Sequence, residues 1–139
     1  MILLDTNVVS ELMRPAPSSA VENWISGQPT ASLFITAITE AELRYGVALL
    51  PDGQRQRGLF RQLEAMLEED FTGRILPFDS SAAVAYARIT ATRRQAGRPI
   101  TQADAQIAAI AAARGAIVAT RNIADFEGCG VTLVNPWVA

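Results

Sequence analysis

The chain has 139 residues, of which half are hydrophobic, and a formal net charge of −2 at pH 7. This length and balance predict one globular domain over residues 1–139 rather than a disordered chain. Histidine is absent and Cys129 is the only cysteine, which excludes imidazole catalysis, an internal disulfide and a thiolate metal cluster. No apolar run is long enough for a membrane span, and no basic segment precedes an apolar signal core, so we expect a cytoplasmic protein.

The first predicted element is a short apolar run followed by a carboxylate. Met1–Leu4 is too short for a buried helix and fits a central parallel strand. Asp5 follows this strand, and Thr6 or Asn7 is predicted to cap a helix over Val8–Met13. Because ligands of open α/β sheets bind beyond the carboxyl ends of the strands, Asp5 is a candidate for chemistry. The alternative is that Asp5 only caps the helix.

Strand and helix patterns then alternate to the end of the chain. Further strands are predicted at Ala31–Thr36, Gly73–Phe78, Ala116–Ala119 and Val131–Val134. Helix patterns, counted with their caps, occupy Ser18–Gly27, Thr39–Leu50, Gln54–Asp70, Asp79–Ala96 and Thr101–Gly115. In the fourth of these, the candidates for the inner face are Val84, Ala87, Ile89 and Thr92. This alternation predicts βαβ units and an α/β fold around a parallel sheet of about five strands.

Four acidic residues occupy comparable positions at the predicted carboxyl edge of the sheet. They follow strands or lie in the first turns of helices: Asp5, Glu42, Asp104 and Asp125. Clustered carboxylates raise one another's pKa unless a cation is bound among them. Oxygen ligands without histidine or cysteine favour Mg²⁺ or Mn²⁺ over zinc. The alternative for Glu42 and Asp104 is a favourable interaction with a helix dipole alone.

Four motifs in this order resemble the PIN-domain family, in particular its VapC-type toxins and their FitB-like members. They are Leu3-Leu-Asp-Thr-Asn7, Glu42-Leu-Arg-Tyr-Gly46, Asp104-Ala-Gln-Ile-Ala108 and Thr120-Arg-Asn-Ile-Ala-Asp-Phe126. The resemblance covers essentially the whole chain. It implies a PIN-like three-layer α/β/α fold with a central parallel sheet of about five strands.

The same resemblance implies a Mg²⁺- or Mn²⁺-dependent endoribonuclease that is the toxin of a toxin–antitoxin pair. RNA is then the substrate, and a cognate antitoxin is the partner. The implied metal-binding and catalytic residues are Asp5, Glu42, Asp104 and Asp125, with Thr6, Asn7, Thr120 and Asn122 around them. Glu40 neighbours Glu42, but the Glu-x-x-x-Gly spacing favours Glu42.

Two other functions remain open at this stage: a PIN nuclease outside any toxin–antitoxin pair, and a non-catalytic protein-binding module with a relic metal site. Arg121 and Arg44 are candidates to hold flanking phosphates. A homodimer is predicted from one apolar stripe, Leu59, Leu63, Met66 and Leu67, together with Leu49 and Leu50. The alternative is that these residues close a helix hairpin on its own core.

Overall fold

A computed structural model describes residues 1–139 and contains one five-stranded sheet. The strands are β1 (Ile2–Leu4), β2 (Leu33–Thr36), β3 (Ile75–Leu76), β4 (Ile117–Ala119) and β5 (Thr132–Val134). Their order across the sheet is β3-β2-β1-β4-β5, and all four pairings are parallel. The predicted α/β fold with a parallel sheet of five strands is therefore confirmed.

Seven α-helices connect and flank the strands, and a short 3₁₀ turn over Thr30–Ser32 precedes β2. They are α1 (Thr6–Leu12), α2 (Ser19–Ser26), α3 (Ala37–Ala48), α4 (Gln54–Glu69), α5 (Ser80–Gln95), α6 (Gln102–Arg114) and α7 (Ile123–Phe126). None of these helices combines the length and the apolar character that crossing a membrane requires.

The central strand β1 is buried on both faces because its side chains alternate between two cores. Leu3 packs with residues of α5 and α6, whereas Ile2 and Leu4 pack with residues of α1 to α4. Side chains of successive strand residues point to opposite faces. The sheet is therefore covered by helices on each side, which gives three layers and leaves only its edges accessible.

Two helix caps differ from the prediction by a few residues. Asp5, rather than Thr6 or Asn7, caps α1, because its carboxylate accepts the backbone N–H of Thr6 at 2.8 Å. Thr36, rather than Thr39, caps α3 by accepting the N–H of Thr39 at 3.1 Å. Each of these two helices therefore begins directly where its strand ends, and both capping residues lie at the carboxyl edge of the sheet.

The predicted inner face of α5 is wrong except at Ile89. Val84 is 75% exposed, and Ala87 and Thr92 are exposed as well. The buried residues of α5 are Ala82, Ala85, Ile89 and Arg93. Besides Ile89, this stripe consists of two small residues and a charged one, so the side-chain hydrophobicity of α5 does not mark the face that packs.

The apolar stripe of α4 is divided between the core and the surface. Leu63 and Leu67 belong to the core, and Leu59 and Met66 are half-buried. This part of the stripe agrees with the alternative that these residues close a helix hairpin on its own core. The large apolar side chains that remain exposed on α3, α4 and the turn between them are Tyr45, Leu49 and Phe60.

Candidate active site

The side chain of Asp5 is the most constrained acid at the carboxyl edge of the sheet. Its Oδ2 accepts the hydroxyl of Thr120 at 2.8 Å and the amide of Asn7 at 3.3 Å, while Oδ1 accepts the N–H of Thr6. β1 and β4 pair in parallel, so residues that follow the two strands meet at one edge. Asp5 is only 5% exposed and Thr120 is fully buried.

Burial raises the pKa of Asp5 to about 6. The hydrogen bonds from Thr120 and from the Thr6 backbone lower this pKa, whereas the charges of Asp104 and Glu42 raise it further. A carboxylate that is desolvated and also faces two like charges is stabilised by a bound cation.

Glu42 reaches the same edge from α3. Its Oε1 accepts the Thr6 hydroxyl at 2.6 Å, and that hydroxyl also lies 3.2 Å from the hydroxyl of Thr39. Glu40 instead accepts Arg44 at 2.8 Å, outside the site. The structure therefore places Glu42, and not Glu40, beside Asp5.

Asp104 approaches from the first turn of α6, where Thr101 caps the helix by accepting the Asp104 N–H at 3.2 Å. Partial burial raises the pKa of Asp104, a side-chain hydrogen bond with Thr101 lowers it, and the charges of Asp125 and Glu42 raise it. Asp125 lies on α7 and is exposed. Its charge acts on Asp104, although its side chain does not line the cleft described next.

These residues surround an open polar cleft of about 560 Å³. The cleft is lined by Asp5, Thr6, Asn7, Ser10, Glu11, Arg14, Glu42, Asp104, Arg121, Asn122 and Trp137. Six of the eight residues predicted for the site are among them, while Thr120 lies buried behind Asp5 and Asp125 lies outside. We refer to this space as the acidic cleft.

Several lining residues were missed by the sequence analysis. Glu11 is 7% exposed and lies four residues after Asn7, a spacing that puts both on one helix face. A hydrogen bond from the backbone N–H of Ser18 is the main cause that holds the pKa of Glu11 below its usual value. The guanidinium of Arg14 lowers this pKa as well. Trp137 follows the last strand, and no pattern in the neighbouring sequence indicates that it lines a site.

Of the two arginines proposed to hold phosphates, only Arg121 lines the acidic cleft. Arg44 pairs with Glu40 and Glu64, and it lines a different groove between α3 and α4. Arg44 therefore lies away from the acidic cleft, with two carboxylates already engaging its guanidinium, and its contact with RNA stays a prediction.

The donor set of the acidic cleft suits a hard divalent cation. Its acids and amides offer oxygen ligands, and no histidine or thiolate is near. No three acidic side chains converge closely enough to chelate an ion by themselves. Mg²⁺ retains several waters and is commonly held by one or two carboxylates, so a complete protein cage is not required. The residues therefore fit Mg²⁺ or Mn²⁺.

Comparison with known proteins defines the class of this fold and site. Residues 2–127 match the model of the PIN domain, and the chain therefore belongs to the PIN-domain family. The chain is 44% identical over 137 residues to the VapC ribonuclease Y4jK of Sinorhizobium fredii, covering 99% of this chain and 98% of the relative. It is also 44% identical over 137 residues to Toxin FitB of Neisseria gonorrhoeae, covering 99% of each.

A solved structure supports the same assignment. The structure of FitAB bound to the IR36 DNA fragment contains a chain that matches with a TM-score of 0.93 and 42% identity, covering 99% of this chain and 96% of that one. The predicted resemblance to VapC-type, FitB-like toxins is confirmed by these full-length similarities.

Proposed function

We propose that the protein is a single PIN domain that acts as a Mg²⁺-dependent endoribonuclease, with Mn²⁺ as an alternative ion, and that it is the toxin of a toxin–antitoxin pair. The ribonuclease class agrees with the VapC relative. The observation that carries the proposal is the buried Asp5, fixed by three donors and facing Glu42 and Asp104 across a polar cleft.

In this proposal Asp5, Glu42 and Asp104 would bind the cation partly through water molecules, because the three carboxylates do not converge closely enough to chelate it directly. When bound, Mg²⁺ acidifies water and neutralises charge that develops on the phosphodiester. Asp125 contributes negative charge beside Asp104, which strengthens cation binding without a side chain in the cleft. Asp5, Glu42 and Asp104 are thus proposed as metal-binding residues, and Asp125 as an acid that supports catalysis through its charge alone.

The neighbouring polar side chains keep the acids in position. Thr120 and Asn7 hold one oxygen of Asp5, and the hydroxyl of Thr6 holds Glu42. Asn122 donates its backbone N–H to the Thr120 hydroxyl at 3.0 Å. Because these groups are already ordered, the acids lose little conformational freedom when a cation and RNA bind.

The proposed partners are RNA as substrate, a cognate antitoxin and a second copy of the chain. Tyr45, Leu49 and Phe60 leave apolar surface exposed on α3, α4 and their connecting turn, which supports an interface there. We propose a cytoplasmic location, because the proposed substrate is cellular RNA.

A cleavage assay with four cation conditions tests the enzymatic proposal. Purified protein is incubated with RNA in Mg²⁺, Mn²⁺, Ca²⁺ or EDTA, and the new RNA ends are sequenced. We expect cleavage in Mg²⁺ and Mn²⁺ only, because Ca²⁺ takes roughly 6–8 ligands and acidifies its bound water less. Cleavage in EDTA would contradict the metal mechanism, and cleavage in no condition would favour a relic binding module.

The toxin assignment has a separate test. The first step is to look for a small antitoxin-like reading frame immediately upstream of this gene. If one is present, its product is co-purified with the protein and added to the same assay. We expect a stable complex that no longer cleaves RNA. Undiminished cleavage, or the absence of any complex, would indicate a PIN nuclease that acts outside a toxin–antitoxin pair.

A further inference from the structure

Two side chains at the rim of the acidic cleft are stacked on each other. The guanidinium carbon of Arg121 lies 4.9 Å from the ring centroid of Trp137. β4 and β5 pair in parallel with Ala119 opposite Val134, so the chain segments that leave both strands run side by side. Arg121 and Asn122 of the first segment and Trp137 of the second line the cleft.

The backbone of Arg121 is linked to the acids through hydrogen bonds, and the backbone of Trp137 is held locally. The N–H of Arg121 donates to Oδ1 of Asn7 at 3.3 Å, and the amide of the same Asn7 donates to Asp5. The N–H of Trp137 donates to Oδ1 of Asn135 at 2.9 Å. The backbone of Arg121 is therefore positioned relative to Asp5, and the contact with Trp137 orients its guanidinium.

The guanidinium of Arg121 keeps its N–H groups free. The other arginine of the acidic cleft, Arg14, is paired with Glu11 at 3.2 Å. Arg121 forms no ion pair within 4.0 Å, and its side chain takes part in no hydrogen bond. Because the contact with the Trp137 ring is a cation–π contact and not an ion pair or a hydrogen bond to an acceptor, the N–H donors of Arg121 stay available for a phosphate.

We propose that Arg121, oriented by Trp137, binds a phosphate of the RNA chain adjacent to the phosphodiester that is cleaved. This inference rests on the proposed ribonuclease function. A planar guanidinium matches two phosphate oxygens in a bidentate contact. The metal-binding side of the cleft repels a polyanion, so an unpaired cation at its rim supplies attraction where the flanking backbone enters.

The test measures cleavage kinetics on a fluorescein-labelled single-stranded oligoribonucleotide in Mg²⁺ at several KCl concentrations. For Arg121→Ala we expect KM to rise about tenfold, the size of one charge-assisted contact, with kcat nearly unchanged. The slope of log kcat/KM against log salt should become shallower by about 0.7, as for one lost phosphate contact on a single strand.

Three further variants make the result specific. Arg121→Lys should restore the salt slope but not the full KM, because an ammonium does not bind in a bidentate manner. Trp137→Leu should raise KM and leave the salt slope unchanged. Arg114→Ala is the matched control, since this arginine lies about 15 Å along α6 from Asp104, and it should behave as the wild type.

The outcomes separate this inference from the proposed function. If the wild type does not cleave RNA, both fail. If the wild type cleaves and Arg121→Ala matches Arg114→Ala in KM and salt slope, only the phosphate contact is overturned. If Arg121→Ala cleaves normally but no longer binds the antitoxin, the stacked pair recognises an acidic group of that protein instead, and the RNA assignment is wrong.

Discussion

The two halves of the acidic cleft hold their carboxylates in different ways. In the half formed by β1, α1 and α3, hydrogen bonds fix the carboxylates themselves: Asp5 accepts from three groups and Glu42 accepts from Thr6. In the half formed by α6 and α7, Asp125 has an exposed carboxylate without a hydrogen bond, and only its backbone is held. Its N–H donates to the Asn122 carbonyl at 3.0 Å, and its carbonyl accepts from Arg93 at 3.0 Å.

This difference indicates two tasks for the four acids: to define the position of the cation and to add negative charge around it. A buried carboxylate with ordered donors defines where a cation sits, at the cost of desolvation. An exposed carboxylate on a short helix adjusts to the ion and contributes charge. We therefore expect Asp5 to determine whether the site works and Asp125 to determine how well it works.

The largest expected effect is the loss of cleavage on substitution of Asp5. Asp5→Asn removes the central carboxylate and should abolish detectable RNA cleavage in Mg²⁺. The corresponding change in the other half, Asp125→Asn, should reduce cleavage about 10- to 100-fold, as for groups that support metal ligands without binding the metal. Initial rates of both variants with one RNA check this. Equal losses would contradict the division of tasks.

Arg93 supports the second half, and its loss should be costly for stability. It is 6% exposed and donates to the carbonyls of Arg98, Asp125 and Glu127. Arg93→Met keeps most of the volume but leaves these carbonyls without a donor, so we expect a loss of about 3 kcal/mol. Urea unfolding measures it.

The neighbouring residue provides the control for this experiment. Arg94 is exposed on the same helix, and Arg94→Met should change the free energy of unfolding by less than about 0.5 kcal/mol. If both variants unfold at the same urea concentration as the wild type, Arg93 is not what anchors the segment of α7.

In the first half, the loss of one hydroxyl should lower the free energy of unfolding by less than the loss of Arg93 does. Thr120→Val removes the donor to Asp5 and the acceptor of the Asn122 N–H, so we expect a loss of about 1–2 kcal/mol. Because the Thr120 hydrogen bond lowers the pKa of Asp5, its removal should move the acidic limb of the cleavage profile to higher pH. Unfolding and pH–rate profiles measure both effects.

The same substitution at a second threonine with a buried hydroxyl is a matched control. The hydroxyl of Thr90 is buried and has no hydrogen-bond partner. Thr90→Val should be neutral or slightly stabilising, and it should leave the pH–rate profile in place. A loss at Thr90 equal to that at Thr120 would show that the hydroxyl contact with Asp5 contributes nothing specific.

The acids in the first half of the cleft could be predicted from the sequence because the patterns that indicate them are local. Asp5 and Glu42 follow strands closely, and parallel strands bring such positions to one edge. Local spacing also favoured Glu42 over Glu40, in agreement with the direction each side chain takes. The cap positions were displaced by a few residues, since Asp5 and Thr36 both end a strand and begin a helix.

The second half depends on contacts between residues far apart in the chain. Hydrophobicity predicts that the charged side chain of Arg93 is exposed, yet it is buried. The reason is that it donates hydrogen bonds to the carbonyls of Asp125 and Glu127, which are distant in the sequence. The stacking of Arg121 on Trp137 requires the register of β4 and β5. Neither feature leaves a periodic pattern in the sequence.

The smallest expected effect concerns the stability of the metal-free protein. Burial raises the pKa of Asp5 from 3.8 to about 6, so between these pH values the folded state binds more protons than the unfolded state. The free energy of unfolding must therefore fall as pH rises through this window. Asn at this position does not titrate, so Asp5→Asn should become more stable than the wild type as pH rises from about 4 to about 6.

The shift corresponds to at most roughly 3 kcal/mol. Asparagine recovers only part of this, because its single oxygen replaces two that accept three donors. We expect a gain of about 1 kcal/mol at pH 7 in EDTA. Saturating Mg²⁺ should reverse the order, since the wild type gains binding energy that the variant lacks. If Asp5 only capped α1, asparagine would serve almost equally well, and the melting curves would coincide at every pH with and without Mg²⁺.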